Sequence, residues 1–325
     1  MGIKIPPGRG LFLKGIPLLL RSALRFKFGA VFSVVFLAAF FVAGALFWQI
    51  KPAAGQEAQK SCLWTIEGQS NRVHLLGSLH FAKPDAFPLA ASIERAYAES
   101  QRLVFETDLA AMQEPAVQAK MMALGMYPEG QGLWQNLDPG TRQLLEKKIT
   151  EFGLPLEAFS QFKPWFVAIQ IEIVQLLRLG FSPQYGIDVH FFDRARSAGK
   201  EVGFLESTEF QIDLLGSMDK QDQNAFLNQT LKELEFADEM AEGLVKFWKA
   251  GDAARLHDLL SKSFKNYPGL YDRLLIQRNK KWVEEIEGAI RGKKSVLFVV
   301  GAGHLVGPES VIALLEKKGY QVKQQ

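Results

Sequence analysis

Two stretches far apart in this chain have the same form. Residues 73–80 read Val-His-Leu-Leu-Gly-Ser-Leu-His, and residues 296–304 read Val-Leu-Phe-Val-Val-Gly-Ala-Gly-His. Each is an apolar run, then glycine, two small or apolar residues, and a histidine. An apolar run bounded by glycine is the pattern of a buried strand, and glycine at its exit permits a sharp turn or a close approach of backbone. One histidine placed so is ordinarily a satisfied core or capping residue. Two copies, in a chain with only 5 histidines, point to a shared site at the exits of strands from opposite ends of the chain, where the chemistry of open sheets collects. The strands that carry them must then meet.

The 325 residues, 48% apolar and 22% charged, suit an ordinary globular chain with ample material for a core. The net charge of +3 hides an asymmetry. Lys4, Arg9, Lys14, Arg21, Arg25 and Lys27 supply six positive charges in a stretch without an acid, so removing them from +3 leaves the remainder at −3. A mildly acidic body argues against nucleic acid as a partner, which calls for a basic face. Residues 29–48 contain no charge and have the length of a bilayer-spanning helix. With the positive charge on its N-terminal side, the positive-inside rule makes residues 1–28 a basic cytoplasmic segment, 29–50 a transmembrane signal anchor, 51–61 a linker and 62–325 an exported domain. The expected place is a single-pass anchor in the cell inner membrane with the domain periplasmic. Ala43-Gly44-Ala45 also fits a cleavage site, but the apolar run exceeds a typical signal core, so an uncleaved anchor is favoured. Cys62 is the sole cysteine, which excludes an internal disulfide and suits a small buried residue.

Periodicity predicts a hairpin of strands 62–67 and 73–78, a helix over 88–100, and a strand at 103–105 that presents Glu106. Residues 110–262 are mainly helical, with a buried helix over 166–179, a helix over 186–197 closed by Gly199, and a strand over 201–206 that presents Glu206. Long helices over 221–250 and 269–291 follow, then a strand at 295–300, a helix over 308–318 and a last strand at 320–323. The expected class is α/β (α+β): one domain with a small mixed sheet formed by N- and C-terminal strands, a large helical insertion, and the N-terminal transmembrane helix.

The paired Gly-x-x-His motifs, with Glu106 after a strand between them, resemble the TraB/GumN family, whose branches include pheromone-shutdown proteins and the Tiki metalloproteases. The similarity covers roughly residues 62–324. Further matches in order are Phe105-Glu106-Thr107-Asp108, Lys163-Pro164-Trp165, Gly186-Ile187-Asp188, Leu205-Glu206-Ser207 with Gln211, and Arg278-Asn279.

His80, Glu106 and His304 each follow a predicted strand, and two imidazoles with one carboxylate are a set that binds a divalent ion such as zinc, manganese or cobalt while leaving positions open for water. Such an ion would lower the pKa of its water and polarise a carbonyl. His-Glu-x-x-His is absent, which excludes a common zincin. Glu106 alone also reads as a surface acid at a strand end, and the functional reading is favoured through the family resemblance. Glu206 is a further ligand, a general base, or an acid favoured beside the next helix N-terminus. Asp188 reads as a helix cap, Lys163-Pro164-Trp165 as a helix start, and His74, His190 and His257 as structural.

Arg278 interrupts an apolar stripe of Tyr271, Leu275, Trp282, Ile286 and Ala289, on a helix whose opposite side carries Arg273, Gln277, Lys280 and Glu284. A buried guanidinium needs an anion; otherwise it snorkels to water. The sharper expectation is that Arg278 clamps Glu106, Glu206 or a substrate oxygen through its planar fork, with Asn279 assisting, which places Glu206, Arg278 and Asn279 in catalytic roles. The resemblance implies a metal-dependent hydrolase with a peptide or protein substrate, membrane-bound through the N-terminal helix. A non-catalytic protein that binds or sequesters peptides is the alternative, and hydrolysis of an ester or phosphate a third reading. The sequence leaves the oligomeric state open.

Overall fold

The structure is a computed structural model that describes residues 60–264 and 267–325. The basic segment, the span over 29–50 and all but the end of the linker lie outside the described residues. Among the described residues no helix is long and apolar enough to cross a membrane.

All six apolar runs form strands of one sheet: β1 (Leu63–Glu67), β2 (Arg72–Ser78), β3 (Arg102–Phe105), β4 (Glu201–Phe204), β5 (Val296–Gly301) and β6 (Val322–Gln324), in the order β4-β3-β5-β2-β1-β6. β1 and β2 are the expected antiparallel hairpin. β5 lies between β3 and β2 and runs parallel to both, as β4 does to β3. Four neighbouring strands therefore point the same way, and their four exits share one edge of the sheet. The residues just past those exits are His80, Glu106, Glu206 and, one turn on, His304.

β5 is nearly continuous in buried apolar side chains, as a strand covered on both faces must be. On one face lie helices Ala91–Glu99 and Ile187–Ser197, joined by Tyr97 against Phe191 at 5.4 Å between ring centroids, with Phe105 edge-on to Phe192 at 5.3 Å. On the other lies helix Gln277–Ile290, where Val104, Val296 and Phe298 line a cavity with Gly288 and Ala289. Gly77 is needed here, because a Cβ on it would come within 3.1 Å of the Ala302 backbone.

Three expectations need correction. The helix over 221–250 is two, Lys220–Glu233 and Ala237–Lys249, separated by a 3-10 turn at Leu234–Phe236. The buried helix is Pro164–Arg178, and its buried residues are confined to Pro164–Ala168, Ile171 and Ile173. The helix over 269–291 contains a π segment, Asp272–Ile276, between Pro268–Tyr271 and Gln277–Ile290. Its extra residue per turn shifts the helical phase, so Leu270 and Ile276 are buried in place of Tyr271 and Leu275.

Candidate active site

The β2 exit is held by a distant segment. Ser182 and Ala82 exchange backbone hydrogen bonds, and Ile187 N–H donates to Leu79 O at 2.9 Å. Gly186 is the residue of closest approach, since a Cβ there would meet His80 O at 2.6 Å. This docking places the first turn of helix Ile187–Ser197 beside His80, whose Nδ1–H donates to Asp188 Oδ2 at 2.6 Å. Asp188 is therefore no helix cap: Gly186 occupies the cap position without a side-chain bond. The charge of Asp188 first, then its hydrogen bond and the charge of Glu106, raise the His80 imidazole to about 9 against the effect of burial and Arg278. The His80 side chain is 59% exposed, so water screens part of that pull.

His304 sits in the 3-10 turn Ala302–His304 after β5 and is buried. Its Nδ1–H donates to Asn279 Oδ1 at 2.6 Å, and Asn279 Nδ2 donates to Glu309 O. Nε2 is then an unprotonated acceptor, and it takes Arg278 Nη1–H at 3.2 Å. Burial, reinforced by the charges of Arg278 and His80 and opposed by Glu106, pushes the ring down to about 3.

Between them lies Glu106. Gly301 N–H donates to its Oε1 at 2.7 Å and Arg278 Nη2–H to its Oε2 at 2.7 Å. Burial works against its charge, but His304, Arg278, His80 and the Gly301 amide hold it well below the usual carboxylate range, at about 2. A Cβ on Gly301 would lie 3.1 Å from Glu106 Oε1 and 3.7 Å from both His80 Nε2 and His304 Cδ2. That point is where the three side chains converge.

Arg278 is buried and lies over the Trp282 ring, 4.8 Å from its centroid. Its Nε and Nη2 donate to Glu206, Nη2 also to Glu106, and Nη1 also to Leu274 O at 2.9 Å. The guanidinium thus pairs with both carboxylates and does not snorkel. Glu206 accepts from four N–H groups: Arg278 Nε and Nη2, Trp282 Nε1 and Gln211 Nε2. The cap of the next helix is Ser207, whose Oγ accepts from Phe210 N, so Glu206 does not serve that helix end.

All six candidate residues meet in one cluster, together with three the reading of the sequence had set aside or given no role: Asp188, Trp282 and Gly301. The signal for Asp188 was Gly186 before it, the point where this segment approaches His80 O. Of the other histidines, His74 bonds Thr65 Oγ1 at 3.0 Å within the sheet and His190 lies beside Arg194 on its helix.

The donor set has the chemistry of a divalent-ion site, with each imidazole turned by an oxygen acceptor on Nδ1 so that Nε2 faces the carboxylate, as ligating histidines are. It is not a ready-made cage: among the described residues no group of three such side chains stands ready to hold an ion. Arg278 occupies His304 Nε2 and one Glu106 oxygen, and His304 Nε2 stands 3.9 Å from the other, Oε1.

The sequence profile described as the TraB/PrgY/gumN family matches residues 62–324. The uncharacterized protein YbaP of Escherichia coli (strain K12) is 26% identical over 251 residues, covering 77% of this chain and 90% of that protein. The metalloprotease TIKI1 of Danio rerio is 21% identical over 321 residues, 82% of this chain and 64% of that one. An uncharacterized protein of Treponema pallidum is 22% identical over 272 residues, 78% of this chain and 80% of its own. No solved structure matches.

Proposed function

This chain belongs to the TraB/PrgY/gumN family, and on that premise we propose that it is a metal-dependent hydrolase of peptide or protein substrates. The observation that carries the reading is the paired anchoring of His80 and His304, each donating Nδ1–H over 2.6 Å to a held oxygen and each turning Nε2 toward Glu106. His80, Glu106 and His304 would hold zinc, manganese or cobalt, His80 giving up its Nε2 proton as the ion binds. The ion supplies Lewis acidity toward a carbonyl and a nucleophilic water. Relatives named metalloproteases support a peptide substrate.

Every other residue of the cluster has a task in this reading. Asp188 orients His80, and Asn279 orients His304. Gly301 N–H aims one oxygen of Glu106, and its missing side chain leaves room at the point of convergence. Trp282 covers His304, with 4.2 Å between ring centroids, and excludes water from that side. His80, with its exposed edge, marks the side from which substrate arrives. Glu206 is saturated by N–H groups, so we assign it the holding of Arg278 in place of proton transfer; Arg278 neutralises the two buried carboxylates and presents positive charge beside the point of convergence. The exported domain, residues 62–325, would be tethered through the linker 51–61 by a signal anchor at 29–50 and would work outside the cytoplasm.

A sequestering protein without catalysis is the second reading, favoured by the contact of Arg278 with His304 Nε2. Elemental analysis of the purified full chain separates the two: one equivalent of metal, lost in His80→Ala, with cleavage of protein substrates abolished by chelation and restored by the ion, supports the hydrolase. A metal-free protein that retains peptides uncleaved supports the alternative. Protease added to spheroplasts tests the export, since a protected body would refute it.

A further inference from the structure

The guanidinium of Arg278 occupies the place of a cation. Its five N–H groups are all used: Nε and one Nη2–H on Glu206, the other Nη2–H on Glu106, one Nη1–H on Leu274 O and the other on His304 Nε2. Most of these bonds belong to Glu206 and Leu274, which lie behind the arginine. Only two reach forward, to Glu106 Oε2 and His304 Nε2. Glu106 has a second oxygen to offer, but a neutral imidazole with its proton on Nδ1 has a single lone pair, on Nε2. That lone pair can accept an N–H or bind an ion, and cannot do both.

We propose that Arg278 is a displaceable internal cation of this site: in the metal-free protein its Nη1–H holds the one His304 lone pair that a metal needs, and an ion takes His304 as a ligand only by displacing it. The inference rests on the reading of His80, Glu106 and His304 as ligands. Two features make the arginine able to yield. The contact it would give up is, at 3.2 Å, the longest of its hydrogen bonds, while Glu206 and Leu274 keep hold of it. The five-residue π segment Asp272–Ile276 also ends two residues before it, and such segments recur at functional sites. The device keeps the buried carboxylates paired at all times, first by the guanidinium alone and then by guanidinium and metal together. It also sets a threshold, because the ion must outcompete a hydrogen bond and the repulsion of a neighbouring positive charge.

The test is titration of the full chain, stripped with chelator, with zinc, manganese or cobalt chloride, read by calorimetry and, for cobalt, by visible absorption. Arg278→Lys keeps the charge but lacks the fork that spans Glu206 and His304, and should bind the ion at least about tenfold more tightly, the scale of one hydrogen bond involving a charged group. Nitrogen-15 spectra of the wild-type imidazoles, which need no variant to fold, should show His304 Nε2 accepting a hydrogen bond without metal and losing that signature as the ion is added. If the wild type binds one ion and Arg278→Lys binds it no more tightly, or His304 Nε2 shows no hydrogen bond before metal, the displacement is wrong while the ligand set stands. If neither protein binds an ion, the ligand reading fails and takes this inference with it.

Discussion

His80 and His304 follow neighbouring parallel strands in the same Gly-x-x-His motif, yet their surroundings drive them apart. At the β2 exit the ring is more than half exposed and donates to the carboxylate of Asp188, which favours the charged imidazolium. At the β5 exit the ring is buried, donates to the neutral amide of Asn279 and faces a guanidinium, which favours the neutral form. One rises to about 9 and the other falls to about 3. A motif can place an imidazole, but partners more than 20 residues away in sequence, and 108 away for Asp188, decide its charge.

The most severe test of the contrast is at its buried end. Arg278→Ala would leave Glu106 and Glu206 with an uncompensated buried charge, and we expect a loss of about 3–5 kcal/mol in denaturant unfolding; wild-type stability would mean that water already reaches those carboxylates. Arg278→Lys should fold, yet lose most hydrolytic turnover, because a lysine cannot reproduce the bidentate fork.

At the exposed end, Asp188→Asn replaces a carboxylate with an amide and makes the first histidine resemble the second. Its His80 should titrate nearer the ordinary value of about 6.5, followed by proton NMR, and metal affinity should weaken roughly 10–100-fold, as for other residues that orient a ligand. An unmoved His80 titration would show that Asp188 does not set its charge.

The two histidines also give opposite pH dependences. Buried His304 stays neutral in the fold while the unfolded chain takes a proton below about 6.5, so its contribution falls as pH drops from there toward 3, by about 1.4 kcal/mol per unit. His80, raised in the fold, contributes below about 6.5 and loses that contribution as pH rises through about 9. Urea unfolding of His304→Gln should show a flatter acid limb than wild type, and that of Asp188→Asn a flatter alkaline limb. The smallest effect is expected for Gly301→Ala, whose new methyl would crowd Glu106 and cost about 1 kcal/mol, measured by thermal unfolding.

The strands and both motif histidines were legible because apolar runs and glycine exits are local signals. Arg278 was legible too, since a charge inside an apolar stripe demands an anion wherever that anion comes from. Asp188 was misread because a first-turn acid has a local explanation, and its true partner arrives only when residues 182–187 dock on the β2 exit. The π segment was invisible for a related reason. Its hydrophobic stripe looks regular at 3.6 residues per turn, and only packing reveals that Ile276, not Leu275, faces inward. The position of β5 between β3 and β2 likewise has no counterpart in spacing along the chain.

That position governs when the protein can first exist. β5 is the strand that joins β3 to β2, and it is made after both. Until residue 301 has been made, β3 and β2 have no strand to join them, so Glu106 and His80 lack Gly301 and His304 between them. A truncated product ending before residue 296 would therefore carry most of the mass of the domain and none of its assembled cluster. Whatever this site does, it begins only after β5 and the turn that follows it have been made.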